Sequence, residues 1–169
     1  MMEGKKDKTK PRGLLIFGAP CSGKTTFAEK FGKKFGLAYY NLDEIAEENG
    51  FSREQVLATL KLILRTRQTV IIEGGLGTEV ERTEVRNVLR NSDYIPSLVW
   101  VQTDIATIKL RLKSRYRNMT KAKEVYETAV SELEAPTETE HPIILSGKHT
   151  FETQTKHVIT GLAELTEVK

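Results

Sequence analysis

Gly18-Ala19-Pro20-Cys21-Ser22-Gly23-Lys24-Thr25 matches G-x-x-x-x-G-K-[ST], the phosphate-binding loop, at every fixed position. The flanks give the motif its structural setting. Leu14-Leu15-Ile16-Phe17 runs into it as a short apolar stretch, the pattern of a strand buried in a parallel sheet. Phe27, Ala28, Phe31 and Phe35 follow it on one face of a helix. Strand, glycine loop, helix is the context that distinguishes a working loop from a chance match.

Each residue type in the loop has a physical reason. Gly18 and Gly23 let main-chain N–H groups approach an anion closely. The loop ends at a helix N-terminus, where unpaired N–H groups and the helix dipole favour phosphate oxygens. Lys24 is expected to reach the β- and γ-phosphates, and the Thr25 hydroxyl to bind magnesium. The nucleotide contacts are expected to run from Gly18 through Thr26, with ATP and Mg2+ as ligands.

The chain of 169 residues is most simply one domain, covering residues 13–169 behind a basic lead-in at 1–12 that is expected to be disordered. Lys5, Lys6, Lys8, Lys10 and Arg12 stand there against Glu3 and Asp7, which accounts for the whole net charge of +3. The rest of the chain balances, and this counts against nucleic acid as a partner. No apolar run approaches the ~18 residues of a membrane span, and no apolar leader opens the chain. Cys21 is the only cysteine, so no intrachain disulfide forms and a reducing cytoplasm is the expected location. Cys21 itself is expected to fill a permissive position of the motif.

Downstream, apolar strands alternate with helical patterns. Strands are expected near Leu37–Leu42, Thr69–Ile72, Leu98–Val101 and Pro142–Leu145. Gly36 reads as a helix C-cap, and a helix near 43–48 closes at Asn49-Gly50. Ser52-Arg53-Glu54-Gln55 is a capping box opening a helix with Val56, Leu57, Leu60, Ile63 and Leu64 on one face. Helices are also expected over 79–90, 121–133 and 151–165. A further helix is capped by Thr103 and carries Ile105, Ile108 and Leu112 inward. Residues 132–141 read as a surface loop. The alternation predicts an α/β fold: three layers, α/β/α, around a five-stranded parallel sheet.

Several residues outside the loop are candidates for chemistry. Asp43 lies just past the second strand, at the carboxyl edge where such sheets bind ligands. A carboxylate there can deprotonate an acceptor hydroxyl, and it can equally cap the following helix. Glu73 ends the third strand on the same edge and can hold magnesium, while Gly74 and Gly75 can let substrate approach the backbone or simply make a tight turn. Arg111, Arg115 and Arg117 are candidates for stabilising the transferring phosphoryl group. His141, His149 and His157 show no metal-ligand spacing and read as surface residues; Trp100 reads as core.

These residues together resemble the small P-loop kinases, in particular the AAA-type ATP-binding group with its polynucleotide-kinase-like and zeta-toxin-like phosphotransferases. The length and layout are also similar to those of shikimate and gluconate kinases. Gly18–Thr25 carries most of the resemblance. Asp43 adds to it, as do Ile108–Arg115, similar to a lid helix L-x-x-R-L-x-x-R, and Ser146-Gly147-Lys148 after the last strand. The resemblance implies Arg115 over the adenine, Arg117 near the phosphates and Gly147 in an adenine-side loop. The chain departs from these families in lacking an arginine close after Asp43, in having Glu73 where Asp is commoner, and in having Gly74-Gly75-Leu76 where shikimate kinases have three glycines.

The expected function is transfer of the γ-phosphate of Mg-ATP to a hydroxyl of a small metabolite or nucleotide, by a monomer or weak dimer. The alternatives are a regulatory ATPase without a second substrate and a 5′-hydroxyl nucleic-acid kinase. A GTPase is disfavoured, because no N-K-x-D segment occurs and no D-x-x-G follows the third strand. An AAA+ motor is disfavoured by length and by the missing acidic pair after Ile72.

Overall fold

Five strands, Arg12–Phe17 (β1), Ala38–Asn41 (β2), Val70–Glu73 (β3), Ile95–Gln102 (β4) and Ile143–Ser146 (β5), form one sheet in the order β2-β3-β1-β4-β5. Every neighbouring pair is parallel, so every crossover carries helix, as a parallel sheet requires. The helices are Lys24–Phe35 (α1), Leu42–Asn49 (α2), Arg53–Ile63 (α3), Glu79–Asn91 (α4), Ile105–Arg115 (α5), Met119–Ser131 (α6) and Phe151–Glu167 (α7). The computed structural model describes residues 10–167.

Alternation along β1 divides the core into two layers. Leu15 and Phe17 face α2, α3 and α4 and pack with Leu42, Val56, Leu60, Val85 and Leu89. Leu14 and Ile16 face the other way, among Phe27, Phe31 and Val158. This is the three-layer arrangement expected from the sequence. Among the described residues, no helix is long and apolar enough to cross a membrane.

Local signals act as expected at several ends. Gly36 and Gly50 close α1 and α2 in left-handed conformations, and Ser52 with Gln55 forms the capping box of α3. Others differ. Residues 1–9 of the basic lead-in lie outside the described residues; Lys10 pairs with Asp93 at 2.6 Å, and Arg12 belongs to β1 rather than to a tail. Asp104, not Thr103, caps α5, accepting from the Thr107 amide. That hydrogen bond, joined by Lys148 and the Thr107 hydroxyl, holds the Asp104 carboxyl well below the ordinary carboxylate range. Ile105, expected inward, is 58% exposed because α5 starts beyond the edge of the sheet. There α5 and α6 form a separate small cluster of Ile108, Leu112 and Ala122, lying over Ala19 and Cys21 of the loop.

Residues 132–141 are not simply a surface loop. Thr137 to Glu140 form a capping box around a short 3-10 turn, and the Glu140 carboxylate is buried against Arg82 of α4. Arg82 is fully buried and donates to both Glu140 oxygens at 2.9 and 3.0 Å. It also donates to the carbonyls of Leu76, Gly77 and Glu134, and its guanidinium stacks 4.7 Å over Phe17. One side chain thus binds the segment after α6 to the turn after β3. Burial alone would raise the Glu140 pKa, but the hydrogen bonds from Arg82 and the Thr137 amide, with the charges of Arg82 and Arg86, lower it.

Removing one partner of a buried pair leaves an uncompensated charge. Arg82→Ala is therefore expected to lower stability by about 3–5 kcal/mol in urea unfolding. Glu140 has its pKa depressed in the fold, so its contribution is complete above 4.5, the unfolded carboxylate value, and is lost as pH falls through the lower folded value. An Arg82→Ala loss below about 1 kcal/mol, the scale of an exposed pair, contradicts this account.

Candidate active site

The carboxyl ends of β1, β3 and β2 lie side by side, with Ile16 level with Glu73 and Glu73 level with Asn41. Gly23 sits at the N-cap of α1 with φ 101°, a left-handed conformation that glycine adopts without strain. The turn points Lys24 and Thr25 across this edge. Thr25 Oγ1 donates to Glu73 Oε1 at 2.7 Å, Tyr39 Oη donates to Glu73 Oε2 at 2.9 Å, and Lys24 Nζ lies 3.8 Å from Oε1. Glu73 is buried, so these three groups take the place of most of the solvent around its carboxylate. Burial and the neighbouring Glu73 charge push the Tyr39 phenol well above its ordinary value of 10.0, so it stays a donor.

Two cavities meet at Lys24. The first, 480 Å³, is lined by Cys21, Gly23, Thr25, Thr26, Arg111 and Arg115, with Gly147, His149 and Phe151 on the far wall. The second, 350 Å³, holds Asp43, Gly74 and Gly75, with Gly18, Pro20, Leu76 and the end of α6 around them. Lys24 lines both.

The capping role open to Asp43 belongs to Asn41, whose side chain accepts from the amides of Asp43 and Glu44. The Asp43 carboxylate is thereby released to line the cavity. Gly74 has φ 82°, and a side chain there would strike Asn41 and the Asp43 amide. The glycine turn is therefore what lets β3 pass so close to Asp43.

The three arginines separate. Arg111 donates at 3.0 Å to the Cys21 carbonyl and at 3.0 Å to the Gly147 carbonyl, joining the lid, the loop and the turn after β5. Arg115, exposed at the last position of α5, lines the first cavity. Arg117 lies past the end of α5, exposed, and lines neither cavity, so the structure does not bring it to the site. Thr103, removed from its capping role, donates instead to the Ser22 carbonyl at 2.8 Å and braces the loop from below.

The donor set suits a magnesium ion: a hydroxyl and a carboxylate, both hard oxygen donors, at the phosphate end of the loop. Among the described residues no group of three or more His, Cys, Asp or Glu could hold a metal ion. Tyr39, the Arg82–Glu140 clamp, and Glu81 and Glu132 in the second cavity carried no functional reading from sequence, only places in a strand, a helix and a loop. Thr78-x-x-Glu81 and Thr137-x-x-Glu140 are capping boxes visible in the sequence, and they would have marked both carboxylates as fixed.

The sheet order, the loop and the paired cavities define a kinase-like P-loop nucleotide-binding protein. A family model described as an AAA domain matches residues 14–138, and the chain belongs to that family. Among solved structures the chain is similar to a gluconokinase from Sinorhizobium meliloti 1021, with a TM-score of 0.71 at 16% identity over 95% of this chain and 96% of that one. It is similar to the Mycobacterium tuberculosis APS kinase CysC in complex with AMPPNP and APS (0.64, 17%, 91% and 98%). It is also similar to Chaetomium thermophilum Kti12 in complex with ADP-AlF3 (0.66, 16%, 90% and 97%). At these identities the likeness is one of fold. No curated protein matches the sequence.

Tyr39→Phe removes one oxygen and keeps the ring. Loss of an outer partner to a metal site weakens metal affinity by about 10–100-fold. ADP binding measured with magnesium is accordingly expected to need that much more magnesium, while binding without magnesium stays as in the native protein. Superimposable magnesium titrations of the two proteins would remove Tyr39 from the site.

Proposed function

We propose that the protein is an ATP-dependent phosphotransferase that moves the γ-phosphate of Mg-ATP to a hydroxyl of a small molecule bound beside Asp43. The carrying observation is that Lys24 lies at the junction of two cavities, one walled by the phosphate loop and the other by an uncapped carboxylate. A nucleotide switch needs no second cavity and no base facing it. The gluconokinase and APS kinase folds support the transferase reading, since their names describe transfer to a small acceptor. The volume of the second cavity favours a small molecule over a polymer end.

In this reading the loop amides and Lys24 bind and orient the phosphate chain, and Arg115 supplies positive charge from the lid side. Glu73 and Tyr39 hold the Thr25 hydroxyl in place. Thr25 and Glu73 would hold a magnesium ion, which would neutralise part of the phosphate charge. Asp43 accepts the proton of the acceptor hydroxyl as its oxygen forms a bond to the γ-phosphorus. The bond from that phosphorus to the bridging oxygen breaks, and ADP leaves with the electron pair. A monomer or weak dimer in a reducing cytoplasm, which suits the lone Cys21, is the setting of this reading.

Asp43→Asn separates chemistry from binding, because Asn41 rather than Asp43 caps α2. Acceptor-dependent ADP release is expected to fall by about 10²–10⁴-fold, the usual worth of a positioned base, with ADP affinity and melting temperature unchanged. Unchanged transfer by Asp43→Asn would sink the general-base role, and ATP hydrolysis indifferent to every acceptor would favour the regulatory ATPase.

A further inference from the structure

The far wall of the first cavity holds a buried polar side chain that lies outside the phosphate loop. Gln154 of α7 lines that cavity together with Phe151, one turn earlier, yet it is only 7% exposed. Its amide is fixed at one end. Nε2 donates at 2.8 Å to the carbonyl of Ser146, the last residue of β5. Turning the amide over would set two oxygens 2.8 Å apart, so the nitrogen stays on Ser146 and the oxygen faces away from it. The anchor is itself held. Gly147 N donates to the Gln102 carbonyl at 2.7 Å, and Arg111 holds the Gly147 carbonyl. A side chain at Gly147 would strike the Ser22 carbonyl of the phosphate loop and the Thr103 hydroxyl.

The other end of the amide is left over. Among the described residues no donor reaches Gln154 Oε1. Among those residues only the Ser22 and Thr155 hydroxyls are both unpartnered and sealed from solvent, so Oε1 is open to the cavity that its side chain lines. An amide so deeply buried needs a partner at each end, and this one has a partner at one end only. Thr26, Lys30, Arg115 and His149 line the same cavity, and all four are exposed. The threonine hydroxyl and the histidine ring can each donate or accept, and the long basic stems can turn. None of them prescribes which edge of a base is read.

We propose that Gln154 selects the base of the nucleotide: its Oε1 accepts a hydrogen bond from a 6-amino group, so the site takes adenine and rejects purines with an oxygen at that position. This rests on the reading of the first cavity as the nucleotide site. With the phosphates on the loop, the base is left for the wall formed by Gly147, Phe151 and Gln154. Phe151 supplies apolar surface there, its ring centred 6.0 Å from that of Phe27 in the core. A 6-oxo purine sets its carbonyl against Oε1, two acceptors with no proton between them. A buried acceptor opposed in this way costs more than a bond simply lost.

The test titrates three diphosphates that differ at position 6 into the full chain with magnesium, by calorimetry: ADP with an amine, purine riboside diphosphate with hydrogen, and IDP with an oxygen. The affinities are expected to fall in that order, with ADP at least about tenfold tighter than IDP. Gln154→Met keeps the length of the side chain and removes Oε1. It is expected to bring the three affinities within about threefold of one another, by weakening ADP and strengthening IDP. A variant that weakens all three equally shows a structural role only and overturns the assignment. An unchanged preference places the selection elsewhere and overturns it too. Equal binding of ADP and IDP by the native chain leaves the nucleotide site standing and overturns the selection. That arm needs no variant, so the native order decides even where the variant fails to fold. No binding of any of the three overturns the nucleotide reading and the inference with it.

Discussion

The Glu73 carboxylate is the fixed point from which the rest of the site is placed. It is buried at the end of β3, where a lone charge is expensive, and it is held there by Thr25, Tyr39 and, at longer range, Lys24. Those partners come from two elements: the start of α1 supplies two and β2 the third. Binding them to one carboxylate fixes the approach of the phosphate loop to the sheet. It also fixes where β2 ends, and hence where Asn41 caps α2 and where Asp43 faces. The glycine turn after Glu73 completes this arrangement, because no side chain fits between β3 and Asp43.

The lid depends on the same edge by a second route. Arg111 bridges α5 to the Cys21 and Gly147 carbonyls, and Arg82 bridges the segment after α6 to the turn after β3. The first contact lies at the first cavity, which Cys21, Arg111 and Gly147 line, and the second joins segments that flank the second cavity. Both use a buried or half-buried guanidinium on backbone carbonyls, a fork geometry that lysine cannot supply. The lid helices bury little else, only Ile108, Leu112 and Ala122. Packing alone holds them weakly, and these arginines set their position.

The five-stranded parallel sheet and the phosphate loop were legible in the sequence, because short apolar runs and a fixed-spacing motif are local signals; the strand order was not. The capping of α3 by Ser52 and the stops at Gly36 and Gly50 were legible for the same reason. What escaped was decided by contacts across the chain. Thr103 is a good cap by type, yet Ser22, 81 residues away, takes its hydroxyl. Glu140 reads as loop until Arg82, 58 residues away, is placed beside it. Ile105 has the right spacing for an inward residue but starts its helix beyond the sheet. Arg117 has the right charge and spacing on the chain, but the helix ends at Arg115. Asp43 was open between two roles until Asn41, two positions earlier, proved to be the cap.

The central claim is that the loop holds a magnesium nucleoside triphosphate with its terminal phosphate at Lys24. Calorimetric titration of the magnesium complex of a non-hydrolysable ATP analogue, into the native chain and into Lys24→Ala, tests it most directly. The account predicts one site per chain in the native protein and binding weaker by about 10–100-fold in the variant, the worth of charged hydrogen bonds to phosphate, with the unfolding transition unchanged. Equal affinity in the two proteins would contradict it.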